Sequence, residues 1–303
     1  MKSAIASNQF ACLVLGIFLG CCILSPPFAT TARAQSADRI VKNEPLPDLD
    51  ALLARLRENQ QALEQLREKC AYTETSTQYQ LDKHGAVKEK GSETREMTIY
   101  RGHRIWRTIA KNGRPLSPKD QAKEDRRVEK TIRDLDSGRW APPPDNQRRV
   151  KLSDLLRVSR FTSARRERFR ERGVIIIDFE PNPNFKPAHL YDRFINNLAG
   201  AIWVDEHDLQ IARAEFQLVD VFKVGGGALA SMKSGSRFVT EQDRVNDGTW
   251  LPIYDEVSIG ARAMLVANFD IKQKFTYGAY RRFDANSEEK LKSPVAEKKA
   301  DRP

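Results

Sequence analysis

The sequence predicts a mainly β protein of the α+β class: a large curved antiparallel sheet of about ten strands, with helices covering the concave face. Three observations carry this. Ala212, Ala214, Phe216 and Leu218 alternate with Arg213, Glu215 and Gln217, and Ala267, Phe269, Ile271, Phe275 and Tyr277 alternate with Asn268, Asp270, Lys272, Lys274 and Thr276. Strands with one apolar and one wet face belong to an antiparallel sheet that covers a core on one side. Strand and helix patterns do not follow each other in a βαβ rhythm, which argues against a parallel sheet. An amphipathic helix near the start carries Leu49, Leu52, Leu53, Leu56, Leu63 and Leu66 on one face, a natural cover for the sheet.

In chain order, residues 1–34 read as a secretory signal peptide. Lys2 gives a positive start, Phe10–Leu24 are apolar, Pro26-Pro27 ends the run, and Ala32-Arg33-Ala34 precedes Gln35. The run is about fifteen residues, short of the roughly twenty that span a bilayer. Cleavage after Ala34, giving a periplasmic protein, ranks first. An uncleaved anchor and a lipoprotein signal that lipidates Cys21 rank below it, the latter because Phe18 stands where such signals usually carry Leu. Removing Lys2 and Arg33 from 51 basic residues leaves 49 against 41 acidic ones, a net charge of +8. Only Cys70 remains of the four cysteines, so no internal disulfide is available, and a buried packing role is expected for it.

Residues 35–46 read as a polar leader, 47–284 as a single domain and 285–303 as a disordered charged tail. The first helix spans 48–69. Strands are expected at 71–81, 86–101 and 103–112, separated by turns at Asp82-Lys83-His84-Gly85 and Asn112-Gly113. Ser117 as N-cap, Pro118 at the first helical position and Asp120 three residues after the cap open a second, very polar helix that runs to Leu135 on the surface. A stiff connection follows at Trp140–Pro144. A short helix is expected at Leu152–Val158, strands at 160–170 and 173–180, and another helix at 186–198 with Leu190, Phe194 and Leu198 on one side. From Ala199 onward the pattern is strand, with turns at Asp205–Asp208, Asn246-Asp247-Gly248 and Gly260. Gly225-Gly226-Gly227 is read as a bend before a short apolar helix from Ala228 to Met232.

Residues for chemistry are sparse. His84, His103, His189 and His207 occur singly, with no metal-ligand spacing, and Asp205–Asp208 reads as a polar turn. No nucleophile elbow, P-loop or dinucleotide fingerprint is present. The chain therefore reads as a binding or transport protein rather than an enzyme, with no cofactor and no metal implied. Arginines concentrate between Arg148 and Arg172. A signal peptide removes them from nucleic acid, and they are not interleaved with stacking aromatics. They read either as a solvated strand face or, at Arg165, Arg166 and Arg168, as contacts for anionic lipid headgroups.

Gly200-Ala201-Ile202-Trp203-Val204-Asp205, Ile211-Ala212-Arg213-Ala214-Glu215 and Gly248-Thr249-Trp250-Leu251-Pro252 resemble the strand-and-turn motifs of the LolA-like superfamily of periplasmic lipoprotein-carrier and outer-membrane lipoprotein-sorting proteins. The resemblance covers residues 150–283 by motif and the rest by element order. It implies a half-open barrel of about eleven strands, helices plugging its mouth, and an apolar cavity for acyl chains. This chain is longer than the dedicated carrier, by the 117–135 helix and the basic 148–172 region. Strand alternation nominates Phe216, Leu218, Ile253, Val257, Phe269, Ile271 and Phe275 for the cavity, with Leu52, Leu53, Leu56 and Leu63 on the lid helix. The function expected is shielding of lipid or lipoprotein acyl chains, with transient, peripheral membrane contact. The alternative is a cell-envelope interaction or sensor module on the same fold, with a protein partner and no lipid transfer.

Overall fold

A computed structural model describes residues 45–81, 87–139, 150–246, 248–263 and 267–282. The expected signal peptide, Cys21, the leader up to residue 44, the 82–85 turn, the Trp140–Pro144 connection and the 285–303 tail lie outside the described residues.

The chain opens with α1 (Leu49–Arg67), started by Asp48, whose side chain accepts the Ala51 N–H at 2.8 Å. It runs directly into β1 (Cys70–Leu81), followed by β2 (Val87–Tyr100), β3 (His103–Lys111) and the two-residue β4 (Arg114–Pro115). Then comes α2 (Pro118–Asp136), capped by Ser117 as its sequence requires. Next are α3 (Leu152–Val158), β5 (Arg160–Phe169), β6 (Arg172–Glu180), α4 (Leu190–Ile195), β7 (Leu198–Asp205) and β8 (Ile211–Leu218). The chain continues through β9 (Phe222–Val224), β10 (Ala230–Met232), β11 (Arg237–Val245), β12 (Thr249–Ala263) and β13 (Ala267–Arg282).

Every strand pairing is antiparallel. Eleven strands form one path, β4-β3-β2-β1-β13-β12-β11-β8-β7-β6-β5, and β9 and β10 attach beside it through β12. The path does not close on itself: β4 and β5 are its two ends. This is a half-open barrel with helices; in strands such as β8 buried residues recur at every second position, while β6 buries Val174–Ile177 in succession.

That alternation assigns the helices to faces. Met97 and Ile99 of β2 and Trp106 of β3 belong to the main buried cluster, which also holds Leu52, Leu53 and Leu56 of α1 and Leu155 and Leu156 of α3. The intervening Tyr100 and Ile105 belong to a separate cluster with Val128 and Ile132 of α2. Successive strand residues point to opposite faces. Thus α1, α3 and α4 lie over one face, while α2 packs on the other.

Three expectations need correction. Gly260, expected at a turn, lies inside β12, paired with Asp270 of β13. The helix expected at 186–198 is only Leu190–Ile195. Asn196 exchanges hydrogen bonds with the Asn182 backbone, and Asn197 donates to the Asp220 carbonyl, so these side chains tie down the loop and stop the helix. Leu198 instead begins β7, opposite Leu218. The apolar run Ala228–Met232 is not helical: its last three residues form β10, between β9 and β12.

Candidate functional site

The helix-covered face has an apolar end and a polar end. At the apolar end, Phe216 of β8 stacks on Phe238 of β11 with ring centroids 5.4 Å apart. Phe194 of α4 meets Phe238 and Phe222 edge-on at 6.1 and 5.2 Å, and Phe179 of β6 lies 6.4 Å from Phe216. Leu218, Val257 and Phe275 are buried in the same cluster, and Ile271 packs against it, paired across the strands with Ile259. Leu52, Leu53 and Leu56 of α1 close the cluster from above. The register brings Phe216, Leu218, Val257, Ile271 and Phe275 together on one surface.

Leu63 and Ile253 sit differently, and the Phe269 side chain lies outside the described ones. Leu63 packs with Ala212 and Trp250 in a smaller cluster. Phe269 pairs through its backbone with Ala261. Ile253 lies at a register shift, where Glu241 faces Tyr254 and Gln242 faces Pro252. The extra residue reverses the alternation locally. Ile253 consequently lines a depression of about 420 Å³ on the outer face, with Arg170, Arg213, Arg237, Val239, Glu241, Tyr254 and Glu256.

Polar contacts hold α1 over the sheet. Arg57 donates to the Leu156 carbonyl at 3.2 Å and Asn59 to the Leu209 carbonyl at 2.8 Å. Glu64 accepts from the hydroxyl and the N–H of Ser153 at 2.6 and 3.1 Å, joining α1 to α3. Gln60 is buried and accepts from Gln242, whose amide also donates to the Ile211 carbonyl at 2.8 Å. A buried amide pair of this kind fixes how the helix is rotated, because any other seating strands it without partners.

The polar end was not legible from the sequence. Glu74 of β1 is 0% exposed and pairs with Arg95, its register partner on β2. The Arg95 guanidinium lies 4.8 Å over the Trp106 ring. Tyr72 meets Trp106 and Tyr277 edge-on, both at 5.9 Å, and Tyr277 donates to Asp255 at 2.6 Å. Arg67, in the last turn of α1, lies 5.2 Å over Tyr277 and 5.7 Å over Tyr72. The covered face thus offers apolar surface at one end and paired charges among aromatic rings at the other.

Arg165, Arg166 and Arg168 on β5 are all engaged with acids: Arg165 with Glu167 and Asp178, Arg166 with Glu206, and Arg168 with Glu171. A second depression of about 370 Å³ includes Asp208, Arg244 and Trp250. Burial alone would raise the Asp208 carboxyl. Hydrogen bonds from Arg244, His207 and Trp250 outweigh it and hold the carboxyl well below the usual carboxylate range. Among the described residues, no cluster of His, Cys, Asp and Glu could hold a metal ion, and no helix is long and apolar enough to cross a membrane.

No family model and no curated protein sequence matches this chain. Among solved structures, it is similar to a domain from Vibrio parahaemolyticus described as an outer membrane lipoprotein-sorting protein, at 11% identity over 80% of this chain and 100% of that one, with a TM-score of 0.32. It is similar to a DUF1329 family protein from Desulfovibrio piger, at 10% identity over 79% and 96% of the two chains, with a TM-score of 0.32. It is also similar to the Pseudomonas aeruginosa MucA/MucB complex, at 10% identity over 80% and 95%, with a TM-score of 0.20.

Proposed function

We propose that this chain is an exported, periplasmic binding protein that shelters an acyl chain between α1 and the apolar end of the sheet. The observation that carries the reading is the division of the main cluster between a lid and a floor. Leu52, Leu53 and Leu56 come from one amphipathic helix, and Phe216, Phe238, Val257 and Phe275 from a sheet that does not close. A lid seated by a few side-chain hydrogen bonds can lift as a unit, and acyl carbons then replace leucine carbons against the floor. Each square ångström of apolar surface removed from water contributes about 25 cal/mol, so a long chain supplies the affinity without a dedicated polar contact.

Native mass spectrometry of the purified protein tests this. Bound species with the masses of fatty acids, phospholipids or acylated peptides are expected, together with uptake of a fluorescent long-chain fatty acid. A lipid-free protein that does not take up the probe would overturn the reading.

The placement of α2 favours a second reading. It packs on the face away from the lid and presents most of its charged residues to solvent, as an envelope interaction module would. Recovery of one specific partner protein, without extractable lipid, would decide for it.

A further inference from the structure

The short hairpin β9–β10 stands off the main path of the sheet and joins through the turn Gly225–Gly227. Its inner side is firmly seated. Phe222 and Met232 are buried in the main cluster, and Val224 packs against it. Its outer side carries apolar groups into water: Val219, Val221 and Leu229 are 43%, 47% and 44% exposed. Large exposed apolar side chains among the described residues number five, and three of them fall between positions 219 and 229.

These groups are held out rather than left loose. Val219 donates its N–H to the Asn197 carbonyl at 2.9 Å, and Asp220 exchanges two hydrogen bonds with the Asn197 side chain. Gly225, Gly226 and Gly227 all have left-handed φ, at 58°, 65° and 96°. A Cβ on Gly225 would lie 2.7 Å from Leu229 Cγ, so the glycine lets Leu229 fold across the turn and still face outward. Cations lie on the same hairpin and on the strand beside it. Lys223 and Arg262 flank Ser231 in the register, and Lys233 lies beside Gly260. The acids nearby are Asp220 and Asp270, the latter 3.5 Å from Lys233. A backbone that fixes apolar side chains in water among lysines and arginines matches an anionic bilayer, whose interface takes both kinds of group.

We infer that the β9–β10 hairpin and the 219–221 turn dock on an anionic lipid bilayer. Val219, Val221 and Leu229 enter the boundary between headgroups and acyl chains, and Lys223, Lys233 and Arg262 meet the phosphates. Because Phe222 and Met232 join the patch to the main cluster, docking sets the apolar interior beside the membrane surface.

Co-sedimentation of the purified protein with phosphatidylglycerol/phosphatidylethanolamine vesicles tests the inference. The unaltered protein should bind. Val221→Asp with Leu229→Asp should lower the vesicle partition by about a hundredfold, since each buried apolar group is worth roughly a decade. Lys223→Glu with Lys233→Glu should remove the preference for anionic over zwitterionic vesicles. All four positions are exposed, and an unchanged unfolding temperature would confirm that the variants fold. Absence of vesicle binding by the unaltered protein, full binding by the aspartate variant, or release of a bound protein partner by that variant with vesicle binding intact would each overturn the inference. Uptake of the fatty-acid probe in solution is read in parallel. Failure of vesicle binding alone defeats the docking surface, and failure of uptake alone defeats the acyl-binding reading.

Discussion

The Glu124 carboxylate of α2 accepts the backbone N–H of Thr108 at 2.7 Å, so a helix side chain occupies the place of a further strand at the free edge of β3. Arg127 pairs with Glu124 and donates to the Trp106 carbonyl two residues away. The pair answers one edge donor and one edge acceptor. The other end of the sheet, β5, carries four arginines and a register shift between Phe161 and Ser163, both of which discourage pairing with another chain.

Glu124→Ala should therefore raise self-association relative to the unaltered protein, measured by light scattering across a concentration series, while Glu124→Gln, which keeps an acceptor, should not. The stability cost should be modest, about 1–2 kcal/mol, because Arg127 is half exposed. The Arg127 hydrogen bond holds the Glu124 carboxyl below its ordinary range, against the opposing effect of burial. A carboxyl lowered by folding contributes stability that is complete above its unfolded value and is lost as pH falls through the folded one. The difference between Glu124→Ala and the unaltered protein should accordingly vanish in acid below the usual carboxylate range.

Gly200 tolerates no side chain. A Cβ there would lie 2.0 Å from the Glu215 carbonyl oxygen and 2.7 Å from Phe216 Cα, both backbone atoms of the neighbouring strand. Gly200→Ala should cost about 3 kcal/mol or more by forcing β7 from β8, seen as a lowered denaturation midpoint or as failure to accumulate soluble protein. Gly226→Ala, where a Cβ meets open space and only the left-handed φ opposes it, should cost about 1 kcal/mol.

Arg95→Met removes the cation facing a fully buried Glu74. Urea denaturation should register about 3–5 kcal/mol of destabilisation. Pairing Arg95→Met with Glu74→Leu should recover much of it, because no charge is then left alone. A double variant no better than Arg95→Met would show that the pair is not coupled.

Leu56→Ala should lower stability by about 2–4 kcal/mol, as expected for a 1% exposed leucine. It should also speed uptake of the fatty-acid probe, because the lid then holds less apolar surface against the floor. Slower uptake would count against lifting of α1.

Trp250 donates its indole N–H to Asp208 at 2.5 Å, and Arg244 donates to the same carboxylate. Trp250 emission should titrate at a pH well below that of an ordinary aspartate, with Trp250→Phe as the reference. Asp208→Asn should abolish that acid transition.

Local signals were the most legible in the sequence. Ser117, Pro118 and Asp120 placed the start of α2, and Leu152–Val158 is a helix over the residues expected, because caps and short apolar spacings act within one turn. The alternation of β8 and β13 predicted a sheet with a single apolar face for the same reason. Non-local relations were not legible. The spacing of Leu190, Phe194 and Leu198 fits a helix face, yet Leu198 answers to Leu218 across a strand. Ile253 keeps the parity of an inward residue until a single extra residue turns it out. Glu74 sits in a stretch of threonines and serines that reads as solvated, and only the pairing of β1 with β2 and β13 makes it interior.

A barrel that closes has a girth fixed by its strand number and shear. The sheet here stops at β4 on one side and β5 on the other, with no main-chain bond joining them. It can flatten or curl without breaking a rung of its ladders. Under the proposed acyl-binding function, capacity would then be set by the side chains between lid and floor, and a thick occupant and a thin one would share the same hydrogen-bonded frame.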